Sequence, residues 1–512
     1  MSHKKPTFKP YYQNQLMMLP PTLEELIPEN HPARVVNQVV DSINIDPLLD
    51  AYNIKGASSY HPAMLLKVVV YGYLSNTYSS RKIAKACQEH IPFMWLSSMN
   101  RPDHNTINRF RGVRLKNVLR NIFEEVVSLL ANEGLLSIEN VYVDGTKIEA
   151  NANKYTFVWK RAIQTNKEKM RAQLADIWEY AQQVANDEDD LPPEPPTKEK
   201  IDSESVKATV EKLNDILSAR KDISSKSKAK LRYINKNYPV NIKKYEEQEE
   251  ILGQRNSYSK TDPEATFMRM KDDHMQNGQL KAGYNVQIST SNQFIVNYTI
   301  HPNPTDTLTL ASHLEQHSKS YQNLPKTVTA DAGYGSHENY EFMEENEITA
   351  YVKYNYFDKN QGIKENKKTP FTTDTLYYDQ QKNQYICPIG QAMNYIGSSA
   401  RRTKSGYLQQ YSLYQAKNCE GCPMRGVCHQ SAQNRIITVN HDLNRYKKKA
   451  HTLLNSESGI EHRKKRCWDV ETVFGNIKQN HGFRRFMLRG KKKVEIEWGL
   501  LAIAQNLRKK AA

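Results

Sequence analysis

The sequence predicts an α/β protein: a mixed sheet covered by helices, preceded by an all-helical region and interrupted by two insertions. Three observations predict it. Residues 141–143 and 327–330 are short runs rich in β-formers, and each run leads into an aspartate and then glycine, Asp144-Gly145 and Asp331-Ala332-Gly333. Residues 284–288 alternate with period two, and 294–296 with 298–300 form a second extended run, joined by a hairpin-like turn at Ser291-Asn292. Helical and extended patterns then alternate, with helices at 307–317 and 337–346 and a strand at 348–352.

The chain of 512 residues is too long for a single core, and two to four structural units fit its length. Hydrophobic residues make up 38%, and mean hydropathy is −0.75, which fits a polar-surfaced protein. Residues 1–12 carry basic side chains with no apolar run behind them, so no signal peptide is expected. No stretch approaches the roughly 20 apolar residues of a membrane span, and a cytoplasmic location is expected. The formal net charge of +16 and pI of about 9.2 favour a polyanionic partner, most simply nucleic acid, over a merely solvated basic surface. Six cysteines in so long a chain do not imply a disulfide framework.

In chain order, Pro20-Pro21-Thr22 and Pro28 are turn and cap signals, and residues 32–136 are mostly helical. Residues 63–74 are mostly apolar. Ser79 and Ser80 can cap a helix through Ile83 and Cys87, and Asp103 a helix over 104–111. Short helices ending in one rich in Asn, Arg and His fit a helix-turn-helix-like module, with Arg109 and Arg111 on its last helix; a plain helical bundle with solvated polar residues fits as well. After the Asp144 strand, residues 155–253 are charged and helical. Met170, Leu174, Ile177, Ala181 and Val184 form one apolar stripe, and Val206, Val210, Leu213 and Leu217 another. The run Leu191-Pro192-Pro193-Glu194-Pro195-Pro196 separates them, so an antiparallel helical hairpin is predicted. Residues 356–455 read as polar and irregular. Residues 463–480 return to a helix, 481–493 form a basic loop with Arg484 and Arg485, and Ile496, Leu500, Ile503 and Leu507 mark a closing amphipathic helix.

A third acid, Glu471, lies on the 463–480 helix. Seven-residue spacing puts Lys464, Glu471 and Lys478 on one face, with Val470, Val473 and Ile477 on a buried one. Asp469 points about 200° away from Glu471. Taken singly, each acid also has an ordinary reading, as a turn residue or a charged helix face. Taken together, three carboxylates on separate elements suit two Mg²⁺ or Mn²⁺ ions that act on a phosphodiester. The second constellation is Cys387, Cys419, Cys422 and Cys428, whose Cys-x-x-Cys core suits a structural Zn²⁺ site, with His429 as a substitute ligand; a set of reduced cysteines is the alternative. Cys87 sits in an apolar helical context, and Cys467 has no visible partner.

The order of these motifs resembles the DDE transposases of bacterial insertion sequences, which have a ribonuclease-H-like core. The resemblance is carried by Gly56-Ala57-Ser58-Ser59-Tyr60-His61-Pro62, Tyr71-Gly72-Tyr73, Pro102-Asp103-His104-Asn105-Thr106 and Val143-Asp144-Gly145-Thr146-Lys147. It continues through Thr261-Asp262-Pro263-Glu264-Ala265-Thr266, Asp331-Ala332-Gly333-Tyr334, and Val470-Glu471 to Lys478. It implies that Asp144, Asp331 and Glu471 form a metal-binding triad and that Lys478 contacts DNA. It also implies binding of terminal inverted repeats, assembly of at least two subunits on paired ends, and cleavage followed by strand transfer to target DNA without ATP. A catalytically inactive DNA-binding repressor and a structure-selective nuclease on the same fold are the alternatives. In one respect the chain departs from that pattern. The Tyr and Arg that often precede the glutamate are replaced by Lys464 and Cys467, with Arg463 and Arg466 one residue off. The domain organisation that follows is an N-terminal DNA-binding domain at 1–136 and a catalytic core from 137–154, 256–355 and 456–512. The helical hairpin occupies 155–255 and the Cys-rich insertion 356–455.

Overall fold

The computed structural model describes residues 22–52, 59–153, 155–185, 192–218, 220, 223–270, 280–361 and 371–512. The turn signal at Pro20-Pro21, the motif residues Gly56-Ala57-Ser58 and the start of the proline run at Leu191 lie outside the described residues. Two compact units emerge, Met1–Val126 with Leu500–Ala512, and Val127–Gly499.

The first unit is helical. Its helices Pro32–Ser42 and Pro62–Leu74 start the same way: a histidine at the N-cap, then proline. The Nδ1 atoms of His31 and His61 accept the N–H groups of Ala33 and Ala63, each at 3.2 Å. Pro62–Leu74 buries nearly its whole circumference and forms the centre of the unit. Asp103 caps His104–Gly112 by accepting the Thr106 N–H at 2.7 Å, whereas Ser79 stands at the N-cap of Ser80–Glu89 without a side-chain capping bond.

The second unit holds thirteen strands among its described residues: β1 (Asn140–Glu149), β2 (Phe157–Trp159), β3 (Ser257–Ser259), β4 (Thr266–Arg269), β5 (Leu280–Ser291), β6 (Phe294–His301), β7 (Thr327–Ala330), β8 (Thr349–Val352), β9 (Tyr377–Asp379), β10 (Gln384–Ile386), β11 (Ala392–Arg402), β12 (Leu408–Ala416) and β13 (Ile436–Val439). The principal sheet runs β4-β5-β1-β7-β8, with β6 also on β5. β1, β7 and β8 are parallel, and β5 and β6 antiparallel, so the sheet is mixed as expected. The β5–β6 hairpin turns at Asn292 and Gln293, both at positive φ (51° and 66°), which suits the twist of a tight hairpin. This architecture is consistent with a ribonuclease-H-like DDE core.

Hydrogen bonds assign the two faces of the sheet. His462, on the helix Glu457–Arg466, meets the Tyr142 hydroxyl at 3.2 Å and the Thr329 hydroxyl at 3.3 Å, and stacks on Tyr351 at 4.2 Å. His313, on the helix Leu310–Tyr321, bonds Ser289 and Thr299 at 2.7 and 2.8 Å from the other face.

Two expectations are corrected. The insertion after β2 is not a hairpin but three helices, Lys160–Val184, Ser203–Leu217 and Ser225–Leu252. Both predicted stripes pack together, and Leu231, Ile234, Tyr238 and Ile242 of the third helix complete their core. The Cys-rich segment is not irregular either. It forms a five-stranded antiparallel sheet, β13-β12-β11-β10-β9, around Tyr385, Met393, Tyr414, Ile437 and Val439.

Candidate active site

Strand register brings the two aspartates level. In the parallel β1–β7 pair, Tyr142 is opposite Thr329, and each aspartate follows its strand partner by two residues. Asp144 is therefore on the same face as Tyr142, the face covered by the helix carrying His462. Asp331 lies just past β7, where its Oδ1 accepts the Gly333 N–H at 2.8 Å and caps a short 3₁₀ turn. The Asp144 Oδ1 accepts the Gly145 N–H at 2.8 Å.

Gly145 serves close approach. A Cβ there would collide with Gln287 Nε2 and come within 2.5 Å of Asp306 Oδ1. Beneath it lies a polar chain on the opposite face. Asp306 Oδ1 accepts from Asn285 Nδ2 at 2.7 Å and Gln287 Nε2 at 2.8 Å, while the Tyr334 hydroxyl donates to Gln287 Oε1. Burial, with Asp306, Asp144 and Asp331 nearby, pushes the Tyr334 phenol well above its usual range, so it stays a donor.

The third acid arrives on a helix with altered pitch. After Glu457–Arg466 the backbone makes a π-helical turn over Cys467–Glu471, a short α segment over Thr472–Gly475, and a second π turn over Asn476–Asn480. Val470, Val473 and Ile477 are fully buried, as their spacing predicts. The shared face of Lys464, Glu471 and Lys478 does not survive the π turns: Glu471 and Lys464 are exposed, whereas Lys478 is buried. Asp469 is buried and accepts the Gln293 N–H at 3.0 Å, and burial raises its carboxyl above the usual range; it anchors the hairpin and does not face the triad.

Arg466 joins the three acids. Its Nη2 lies 3.5 Å from Asp144 Oδ2 and 3.7 Å from Asp331 Oδ2, and its Nη1 lies 3.4 Å from Glu471 Oε1. The sequence leaves this residue one position off the expected arginine. A π turn closes i→i+5 bonds, so the residue five before Glu471 comes onto its face. Asp144, Asp331 and Glu471, distant along the chain, thus surround one cation. They are hard oxygen donors of the kind that hold Mg²⁺ or Mn²⁺, and the guanidinium between them shows that the site accepts positive charge. As they stand, no three His, Cys, Asp or Glu side chains among the described residues are grouped to hold a metal ion.

The other expected residues divide. Arg484–Phe486 runs beside the end of β1, through Glu149 N–H to Arg484 O at 3.2 Å and Phe486 N–H to Glu149 O at 2.9 Å, so the basic loop extends that edge of the core. Arg485 is exposed, with a bond to Ala152 O at 3.0 Å. Arg109 is exposed in the helical unit. Arg111 is not: it is 3% exposed and donates to the Tyr73 hydroxyl at 3.0 Å and the Tyr78 carbonyl at 2.8 Å. Its expected contact with DNA is replaced by an internal one. Asp262, from the Thr261–Thr266 motif, is likewise buried, accepting from the Tyr284 hydroxyl at 2.9 Å.

Among the described residues no helix is long and apolar enough to cross a membrane. Two family models match the chain. Residues 21–112 match a transposase domain (DUF772), and residues 386–511 match a transposase DDE domain. The second match includes Arg466 and Glu471, while Asp144 and Asp331 lie outside both. No curated protein matches the chain. Matched at its two ends by transposase models, and carrying between them the strands that present Asp144 and Asp331, this chain has the family matches that indicate an insertion-sequence DDE transposase.

Proposed function

We propose that the protein binds the terminal inverted repeats of its own element, cuts the DNA there and joins the freed 3′ ends to target DNA. The observation that carries this reading is the convergence of Asp144, Asp331 and Glu471 on Arg466. The three carboxylates would hold two divalent ions. When bound, such ions supply Lewis-acid stabilisation of the phosphodiester and activation of the attacking hydroxyl group. Asp144, the most buried of the three, fixes the floor of the site through Gly145, and the more exposed Asp331 and Glu471 adjust around the phosphate. Strand transfer forms one phosphodiester bond as it breaks another, so it needs no ATP. Arg109, Arg484 and Arg485, all exposed, supply phosphate contacts, whereas the expected contact of Lys478 is set aside because its side chain is buried, and two subunits act on the paired ends.

The test is Asp144→Asn. It should retain binding of a duplex carrying the terminal repeat and lose Mg²⁺-dependent cleavage by several orders of magnitude. Cleavage at the wild-type rate would overturn the assignment. Binding without cleavage by the wild-type protein would instead favour a repressor.

The same reading extends to a structural Zn²⁺ on Cys387, Cys419, Cys422 and Cys428. These residues and His429 line one cavity of about 20 Å³, room for a single water-sized sphere. N–H groups point at the sulfurs: Gln391 N to Cys387 at 3.2 Å, Arg435 N to Cys419 at 3.4 Å and Arg435 Nη1 to Cys428 at 2.9 Å. Both ring nitrogens of His429 are buried without a partner. The purified protein should carry one zinc per chain, lost in Cys419→Ser/Cys422→Ser. A zinc-free protein that takes up none on addition would remove the site.

A further inference from the structure

We infer that Arg466 is a cationic latch on the triad, a positioning residue whose release couples metal binding to DNA binding. The inference rests on the carboxylate reading proposed above. Its first support is geometry. In an α-helix, Arg466 would point about 140° away from Glu471, five residues on. The π turn Cys467–Glu471 narrows that offset, so the local backbone is shaped to deliver this guanidinium to the acids.

Its second support is the looseness of the contacts. Charge-assisted pairs close to about 2.7–2.9 Å. Arg466 stands 3.4 to 3.7 Å from all three acids, its one hydrogen bond among them being a long one, from Nη1 to Glu471 Oε1 at 3.4 Å. Its Nε is buried without a partner. A single positive charge is thus spread over three negative ones, each only partly neutralised. A divalent ion of Mg²⁺ type would compete with the guanidinium for these oxygens and be repelled by its charge.

Its third support is the exposure gradient. Asp144 and Arg466 side chains are 9% and 11% exposed, Asp331 40% and Glu471 57%. The guanidinium therefore lies between the buried floor and the open rim, where a DNA phosphate would approach. A phosphate accepts the planar fork of an arginine through two parallel hydrogen bonds. With phosphate present, Arg466 exchanges carboxylates for phosphate and the acids become available to metal. Without it, metal must displace an attached cation. Linkage then requires each ligand to tighten the other.

The experiment measures Mn²⁺ binding to the full chain by electron paramagnetic resonance, with and without a random-sequence DNA duplex. Arg466→Gln should bind Mn²⁺ roughly tenfold more tightly than wild type in the absence of DNA. Adding duplex should tighten Mn²⁺ binding by wild type and change Arg466→Gln much less. Asp144→Asn in either background should weaken binding, which places the ion at the triad. Equal Mn²⁺ affinity of wild type and Arg466→Gln, with Asp144→Asn still weakening both, would overturn the latch alone. Mn²⁺ binding indifferent to Asp144→Asn would remove the carboxylate reading, and the latch with it. Should Arg466→Gln fail to fold, Arg466→Lys serves. One ammonium cannot span three acids, so it too should bind Mn²⁺ more tightly than wild type, and an unchanged affinity would overturn the latch.

Discussion

Gly145→Ala tests whether Asp144 is held by close packing beneath it. The added methyl would collide with Gln287 Nε2 and lie 2.5 Å from Asp306 Oδ1. Gln287 cannot step aside freely. Its Nε2 donates to Asn285 Oδ1 at 3.0 Å and Asp306 Oδ1 at 2.8 Å, and its Oε1 accepts from Tyr334. Overpacking of this kind costs about 1–3 kcal/mol, and each displaced hydrogen bond about 0.5–1.5 kcal/mol more. A destabilisation of about 2–4 kcal/mol is expected for the unit that carries the triad. The assay is the thermal midpoint of that unit by calorimetry, measured for Gly145→Ala, Gln287→Ala and the double variant. Gln287→Ala removes most of the obstructing atoms, so the double variant should be more stable than the sum of the two single effects implies, by at least about 1 kcal/mol. Simple additivity would refute the steric argument. Cleavage should fall with stability, because any shift of Gly145 carries Asp144 with it.

Three further outcomes follow from the same structure. Arg111→Ala should destabilise the helical unit by roughly 1–3 kcal/mol, since it removes a buried side chain that donates to the Tyr73 hydroxyl and the part-buried Tyr78 carbonyl, whereas Arg109→Ala should keep the melting midpoint and lower the salt dependence of DNA binding. Mild acid should loosen the unit Val127–Gly499 through its buried histidines. Burial lowers His301 and His317 from 6.5 to about 4, so the unfolded chain binds protons first, and stability is lost as pH falls from 6.5 toward 4, by up to about 1.4 kcal/mol per pH unit for each histidine. A chemical-denaturation series over that range checks it, and a flat profile would refute it. Finally, thiol alkylation should reach the exposed Cys467 at once and the buried Cys87 only on unfolding, since burial pushes the Cys87 thiol up to about 11. Peptide mapping of the labelled protein reads both.

What the sequence revealed was whatever a short window determines. The strands bearing Asp144 and Asp331, the hairpin at Asn292 and the buried stripe of Val470, Val473 and Ile477 all follow from local periodicity and turn residues. The place of Arg466 beside the acids is hidden in the sequence because α-helical pitch points it away from Glu471, and a π turn is a property of the packed backbone. The third helix of the insertion is hidden for a related reason. Leu231, Ile234, Tyr238 and Ile242 have helical spacing, but lysines and Pro239 interrupt the reading. In the Cys-rich sheet, β11 is exposed along most of its length, so it lacks the apolar alternation that announces a strand. Arg111 illustrates the opposite limit: an arginine beside an exposed arginine is indistinguishable from it until the core around Tyr73 is assembled.

The position of β1 at the centre of the sheet has a consequence in time. β1 needs β5 on one side and β7 on the other, and both are synthesised long after it. Glu471 follows Asp144 by 327 residues. At about 5–20 residues per second, the ribosome takes some tens of seconds to cover that interval. Throughout it, the nascent chain carries Asp144 without the two acids that join it around Arg466 in the folded chain. The helical insertion between β2 and β3 packs only on itself in its main core and can fold while the sheet waits. The three acids therefore meet late, once the helix leading to Glu471 has left the ribosome and docked through His462 on β1 and β7.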